Sequence, residues 1–413
     1  MNQSESLASV LARWLTFGSA VTILFGIAPS QILLALAMVA LLLSGEKLSL
    51  PPIKLPLALF LLGTLVAFAF APHPAEGLPQ IRKLYVFLEL VVVYSCLRDT
   101  RILRWLFLTF AACGSIAALL GLAQFLEKVR QAHQVHQDVY SYYVGERITG
   151  FMNHWNFFAA QEMFALSMLA AFLFFGPPAR KRIWIWITFA GLLGLGIVLA
   201  ETRAVWIGSA VACFYLIWFW KKWLVLAMPV VVLVAFFASP PVIKDRFTSM
   251  LHGRRVDSNE FRVVTWRTGL RMIEAHPLLG LGPEGPNHHF NEWVPADVPR
   301  PLPEGWYGHL HNIYLQYSAE RGIPTMLILM WLLVRMIYDF WRGLQKLPPG
   351  RSDERYLLHG GIAVILATLA EGFFEYNLGT SVVLTMFLVV VAAAYQAVPM
   401  SNARLVARSI GSE

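Results

Sequence analysis

Charge is scarce in this sequence. Asp, Glu, Lys and Arg make up 14% of 413 residues, about half the share a soluble domain carries. That shortage excludes an ordinary soluble fold, and the apolar share of 57% shows what replaces the charge. Cysteine is also sparse: Cys96, Cys113 and Cys213 are odd in number, lie inside apolar segments and show no metal-ligand spacing. They read as small core residues, not as a disulfide framework or a metal module. There is no Walker A loop, no G-x-G-x-x-G after a strand and no H-E-x-x-H. A D-x-D or adjacent aspartate pair, used elsewhere to hold a divalent metal on a diphosphate, is missing too. Internal repeats and low-complexity tracts are lacking. No cleavable signal peptide is expected, because the apolar block after Trp14 runs into a second one after Pro29 without a small-residue cleavage site.

What is there is a series of long apolar blocks such as "PLALFLLGTLVAFAFA" and "WLVLAMPVVVLVAFFA". Each approaches, with its flanks, the ~20 residues that cross a bilayer. Punctuation by charge, Pro and Gly gives about twelve expected spans: 11–28, 30–45, 54–72, 81–97, 102–125, 154–175, 183–200, 204–220, 223–239, 312–340, 356–377 and 379–397. Every second short loop is basic, through Lys47/Lys54, Arg98/Arg101/Arg104, Arg180/Lys181/Arg182, Lys221/Lys222, Arg342/Lys346/Arg351/Arg355 and Arg404/Arg408. The Ala28-Pro29-Ser30 and Glu375–Gly379 turns carry no Lys or Arg. Excess basic residues mark cytoplasmic loops, so both termini are expected inside the cell. Two longer segments, about 126–153 and 240–311, then face outward. The chain divides into a bundle over 1–239, an outer loop over 240–311, and spans with a short tail over 312–413. The net charge of +8 fits cytoplasmic anchoring and an anionic partner outside better than nucleic acid.

The outer loop contains "NEFRVVTWRTGLRMIEAHP", where Phe261, Val264, Thr265, Leu270 and Met272 interleave with Arg262, Arg267 and Arg271. This predicts a basic amphipathic helix ended by Pro277. Arg254 and Arg255 extend the cluster, and arginine suits a bidentate grip on phosphate or carboxylate. The bland alternative is a solvated helix surface. Arg262 and Trp266, at i and i+4, can lie together. Arg82 in "LPQIRKLYVFL" and Arg147 in "GERITGFMNHWNF" add outer cations near span ends.

The densest polar stretch is "GHLHNIYLQYSAERG", Gly308 to Gly322. A helix starting near Asn312, a good N-cap, places His311 at its positive end. There the imidazole is held neutral, which suits a general base, and phosphate is attracted. Asn312, Gln316 and Glu320 fall on one face at i, i+4 spacing. Polar groups inside a membrane usually line a cavity, whereas a lone loop histidine is usually satisfied by backbone groups. "ETRAVWIG" puts Glu201, Thr202 and Arg203 in a short turn, where an arginine is either functional or a headgroup anchor. Glu371 and Glu375 in "LAEGFFEYNLG" are expected on one helix face, paired with outer arginines or carrying protons.

Together, "RVVTWR…HPLLGLGP…HLHNIYLQYSAERG" and the Arg turn resemble the bacterial O-antigen ligase superfamily, which also holds O-antigen polymerases and protein O-oligosaccharyltransferases. The resemblance covers most of the chain, and the H-x-H-N element before a membrane helix is its most specific part. It implies an all-α integral membrane glycosyltransferase of the GT-C type, in the inner membrane with a periplasmic site. It implies transfer of O-antigen from undecaprenyl diphosphate to a sugar hydroxyl of lipid A–core, completing lipopolysaccharide without metal, cofactor or nucleotide. The family's essential histidine matches His311, and its essential arginines match Arg203 and Arg262. Thr202 stands where the family usually has Ser. His309, Asn312, Gln316, Arg82, Arg147 and Trp266 are expected to bind diphosphate or sugar. Direct attack would invert the anomeric carbon, with His311 as base and the arginines on the leaving diphosphate. Polymerase or protein-glycosylating activity with the same donor stays open. So does transport of a lipid-linked sugar, although no related halves of a transporter are seen.

Overall fold

The computed structural model describes residues 6–177, 182–239, 244, 258–302 and 308–399. Arg180, Lys181, Pro240-Pro241, Arg254, Arg255, Arg404 and Arg408 lie outside them. The described residues form helices and connecting turns, with no β-strand among them.

In chain order the helices are α1 (Leu7–Thr22), α2 (Ile27–Leu43), α3 (Lys54–Ala69), α4 (Leu78–Arg82), α5 (Leu88–Cys96), α6 (Thr100–Gln134), α7 (Val139–Gly145) and α8 (Trp155–Phe175). They continue as α9 (Ile183–Leu199), α10 (Arg203–Lys221), α11 (Met228–Ala238), α12 (Ser258–Ala275), α13 (Gly285–His288) and α14 (Phe290–Trp293). The last are α15 (Ile313–Lys346), α16 (Asp353–Glu371) and α17 (Ser381–Gln396). Each apolar block of the sequence carries helix. Among the described residues, four helices are long and apolar enough to cross a membrane: Thr100–Gln134, Trp155–Phe175, Arg203–Ala227 and Ile313–Lys346. Five more are apolar but shorter: α1, α2, α3, α9 and α17.

Two local details differ from the sequence reading. The first turn falls at Ile23–Gly26, so Ala28-Pro29-Ser30 sits inside the opening turn of α2. Proline is tolerated there because its missing N–H would have no helical acceptor. The expected 81–97 block is broken into α4, a tight 3-10 stretch Lys83–Phe87, and α5.

The main core gathers α6, α8, α10, α16 and α17. Helix α8 is buried over most of its length, and α16 and α17 are buried on nearly all sides. Gly208 of α10 permits this closeness: a Cβ there would meet Ala367 O of α16 at 2.9 Å and Met163 Sδ of α8 at 2.8 Å. A smaller core, Val264, Met272, Leu281, Phe290, Val294, Val298, Leu310 and Ala319, holds the outer loop against the start of α15.

That attachment has a backbone cause. Pro324 has no N–H to give, so Glu320 O loses its helical donor and accepts from Gly282 N at 3.0 Å. Ile323 N turns to Pro277 O at 2.8 Å, and Ala319 O takes Leu281 N at 2.8 Å. The helix breaks at Gly322, whose φ of 77° is the left-handed region. A Cβ at Gly322 would lie 2.0 Å from Leu278 O. "HPLLGLGP" and "ERGIP" are therefore two halves of one junction, which pins the end of α12 to the head of α15.

Candidate functional site

Three helix N-termini meet at one small cavity of about 150 Å³. It is lined by Arg147, His154, Trp155, Asn156, Thr202, Arg203, Phe261, Arg262, His311 and Glu375. His154 caps α8, Thr202 precedes α10, and His311 precedes the Asn312 cap of α15. Each helix start carries partial positive charge from unpaired N–H groups. Three guanidinium groups face a single carboxylate, so the lining is net cationic. Small oxyanions suit such a place.

Asn312 is a strong cap because its Oδ1 accepts from Tyr314 N at 2.9 Å and Leu315 N at 3.0 Å. Its Nδ2 donates to Phe373 O at 3.1 Å, and Ile313 N donates to Gly372 O at 2.7 Å. These two bonds fix the turn after α16 under the histidine. Glu375 lies in that turn, so it is not on the helix with Glu371, as the sequence spacing suggested. From there Glu375 Oε2 meets His311 Nδ1 at 3.1 Å, and Oε1 meets Arg262 Nη2 at 3.4 Å. Its side chain is 9% exposed, against 29% for His311 and 16% for Arg262. Burial pushes its carboxyl up, but the contacts with His311 and Arg262 outweigh this and hold it below the ordinary value. A carboxylate can only accept, so Nδ1 donates and Nε2 is the nitrogen left to the cavity.

The arginines are placed by different devices. Arg262, on the first turns of α12, also reaches Phe374 O at 3.4 Å and lies over the Phe374 ring at 5.9 Å. Arg203 opens α10 and is 6% exposed. The residue before its cap, Glu201, has φ of 49°, and His311 has φ of 48°. Left-handed backbone in non-glycine residues costs about 1–3 kcal/mol each and gathers at functional sites. Arg147 uses Nε on Val144 O at 3.2 Å and lies over Trp155 at 4.8 Å. Thr202 Oγ1 donates to Asn156 Oδ1 at 3.3 Å, joining α8 to the arginine turn.

The cavity thus brings together His311, Arg203, Arg262 and Arg147. The other expected residues lie elsewhere. Asn312 and Gln316 act on backbone, Gln316 through Oε1 on Leu310 N at 2.8 Å. Gln316 Nε2 donates to Glu320 Oε1 at 2.9 Å, and Glu320 pairs with Arg321 at 2.7 Å. The polar stripe of α15 therefore stitches the loop down and lies outside this cavity. His309 lies beside Tyr376, at 5.6 Å between ring centroids and tilted to it, and burial lowers its pKa. Trp266 shares Phe374 with Arg262, 6.2 Å away, outside the cavity. Arg82 is exposed on α4 and also outside it. Arg267 is taken by a bidentate pair with Asp297, at 2.8 and 2.9 Å.

Sequence reasoning missed His154, Trp155, Asn156 and Phe261, and it did not place Glu375 at the histidine. The available signal was "NHWN" before an apolar block, a helix start with a ring in the cap position.

Residues 187–330 match a family model described as O-antigen ligase. Arg203, Arg262 and His311 fall inside the match; Arg147, His154 and Glu375 fall outside it. No curated protein matches the chain.

Proposed function

We propose that this chain, a member of the O-antigen ligase family by its match over residues 187–330, transfers O-antigen from undecaprenyl diphosphate to a sugar hydroxyl of lipid A–core. The observation carrying this reading is the His311–Glu375–Arg262 chain of contacts beside Arg203 and Arg147 in one cationic cavity. The donor head group sits against the arginines with its anomeric carbon toward His311. Neutral His311 takes the acceptor proton on Nε2 while Glu375 holds Nδ1–H and stabilises the imidazolium that forms. The acceptor oxygen bonds to the anomeric carbon as the bond to phosphate breaks, with inversion. Both electrons leave with the phosphate oxygen, where Arg203, Arg262 and Arg147 balance the growing charge. Such a site is worth most where water is partly excluded, and Arg203 and Arg262 are largely buried.

The twelve-span reading and the GT-C assignment belong to the same proposal. The four long helices and five shorter apolar ones cross the inner membrane with help from the broken segments Leu78–Cys96 and Lys222–Ala238 and from α16. Both termini lie in the cytoplasm and the cavity opens to the periplasm. The bundle 1–239 and the spans of 312–413 carry the site between them, and the loop 240–311 supplies Arg262.

The test is transfer by purified protein in vesicles holding lipid-linked O-antigen and lipid A–core. Ligated lipopolysaccharide and released undecaprenyl diphosphate are expected in equal amounts. Glycan joined to a second lipid-linked donor, with the core unused, would make the protein a polymerase. Movement of intact donor across the membrane without transfer would make it a transporter.

A further inference from the structure

We propose that His154 donates a hydrogen bond from Nε2 to the departing diphosphate, opposite the base His311. The inference rests on the transfer reading and adds a donor that neither the family match nor the sequence motifs contain.

His154 occupies the N-cap of α8, and its Nδ1 accepts the backbone N–H of Asn156 at 3.1 Å. A nitrogen that accepts has its lone pair engaged and carries no proton. The ring is therefore neutral, with its proton on Nε2. Burial is the largest influence holding its pKa below the ordinary value. Arg147, His311 and His309 act in the same direction, and Glu375 opposes them. Trp155, 4.2 Å away between centroids, and Phe157, at 5.3 Å, fix the ring plane. The side chain lines the cavity, and among the described residues no group bonds to Nε2.

The two imidazoles of the cavity are thus wired in opposite senses. At His311 the carboxylate takes Nδ1–H, which leaves a lone pair on Nε2. At His154 a backbone N–H fills Nδ1, which leaves an N–H on Nε2. One ring is set to receive a proton and the other to offer a hydrogen bond. His154 keeps its proton throughout: the acceptor hydroxyl proton goes to His311, and the C–O electron pair goes to phosphate oxygen. That oxygen is the acceptor whose charge grows in the transition state, so the bond strengthens as the leaving group departs.

Two variants separate this role from helix capping. His154→Asn retains a short side-chain oxygen that caps α8 but lacks the distant N–H. His154→Gln gives up the better cap yet places an amide N–H near the Nε2 position. The readouts are melting temperature, kcat and KM for transfer, and direct binding of undecaprenyl diphosphate to the full-length protein. The Asn variant is expected to melt with wild type, yet to bind undecaprenyl diphosphate and transfer roughly 10–100-fold more weakly, as for a lost bond to a charged group. The Gln variant is expected to recover most of both. Wild-type binding and rate in the Asn variant would overturn the proposal, as would equal losses in Asn and Gln. If wild type binds the diphosphate lipid in a His154-dependent way but transfers nothing, the transfer reading fails and the hydrogen bond stands.

Discussion

Glu375 determines which nitrogen of His311 serves the cavity, and it does so across 64 residues of sequence. In Glu375→Gln the amide can donate as well as accept, so the ring is no longer held in one tautomer. We expect kcat to fall about 10²–10⁴-fold, the range over which a general base acts, with undecaprenyl diphosphate binding nearly retained. A kcat within a few-fold of wild type would remove Glu375 from the mechanism. The sign with pH follows from its lowered pKa. The His311 contact contributes fully above the ordinary carboxylate range and is lost only as pH falls through the lower folded-state value. At Arg203, a Lys keeps the charge but loses the forked geometry. Arg203→Lys should cost roughly 10²–10³-fold in kcat, and full activity would argue against a bidentate contact there. His311, Arg203 and Arg262 could be singled out through the family resemblance, because each sits in a short local pattern that the resemblance rests on. Glu375 and His154 could not, because their value lies in partners that only the folded chain brings near: a histidine in a cap position looks like any other loop histidine.

At the scale of elements, the site depends on how firmly the outer loop is tied to α15. Gly322→Ala would force a left-handed β-carbon against Leu278 O. It should lower the melting temperature sharply, whereas Gly191→Ala, with nothing within 4 Å, should leave it unchanged. Equal melting of the two variants would contradict the junction. A second tie joins α14 to the turn after α3: His289 bonds Glu292 at 2.9 Å and Glu76 at 3.1 Å. The Glu292 hydrogen bond is the main reason its pKa is raised, partly offset by burial and aided by Glu76. A raised histidine contributes fully below its ordinary value of ~6.5 and loses the contribution as pH climbs through the raised one. Wild-type melting temperature should therefore fall between mildly acidic and alkaline pH more than that of His289→Gln; parallel curves would refute the tie. The long helices were readable from apolar blocks and their punctuation, whereas the first turn and the break within 81–97 were not. The stripe Asn312, Gln316, Glu320 was readable as a face, but periodicity cannot say what a face meets. Here it meets a loop backbone, Arg321 and Tyr376, outside the cavity that holds His311.

Across the whole molecule, the proposed topology rests on the alternation of basic turns. In a chain with Cys96, Cys113 and Cys213 replaced by Ser, Gln137→Cys should react with a membrane-impermeant thiol reagent in intact spheroplasts. Glu46→Cys should react only after permeabilisation, and the reverse pattern would invert the topology. The most direct measurement is single-turnover transfer from lipid-linked O-antigen to lipid A–core by purified His311→Ala. Ligated product should disappear while the variant still binds undecaprenyl diphosphate. Product formed at the wild-type rate would contradict His311 as the base.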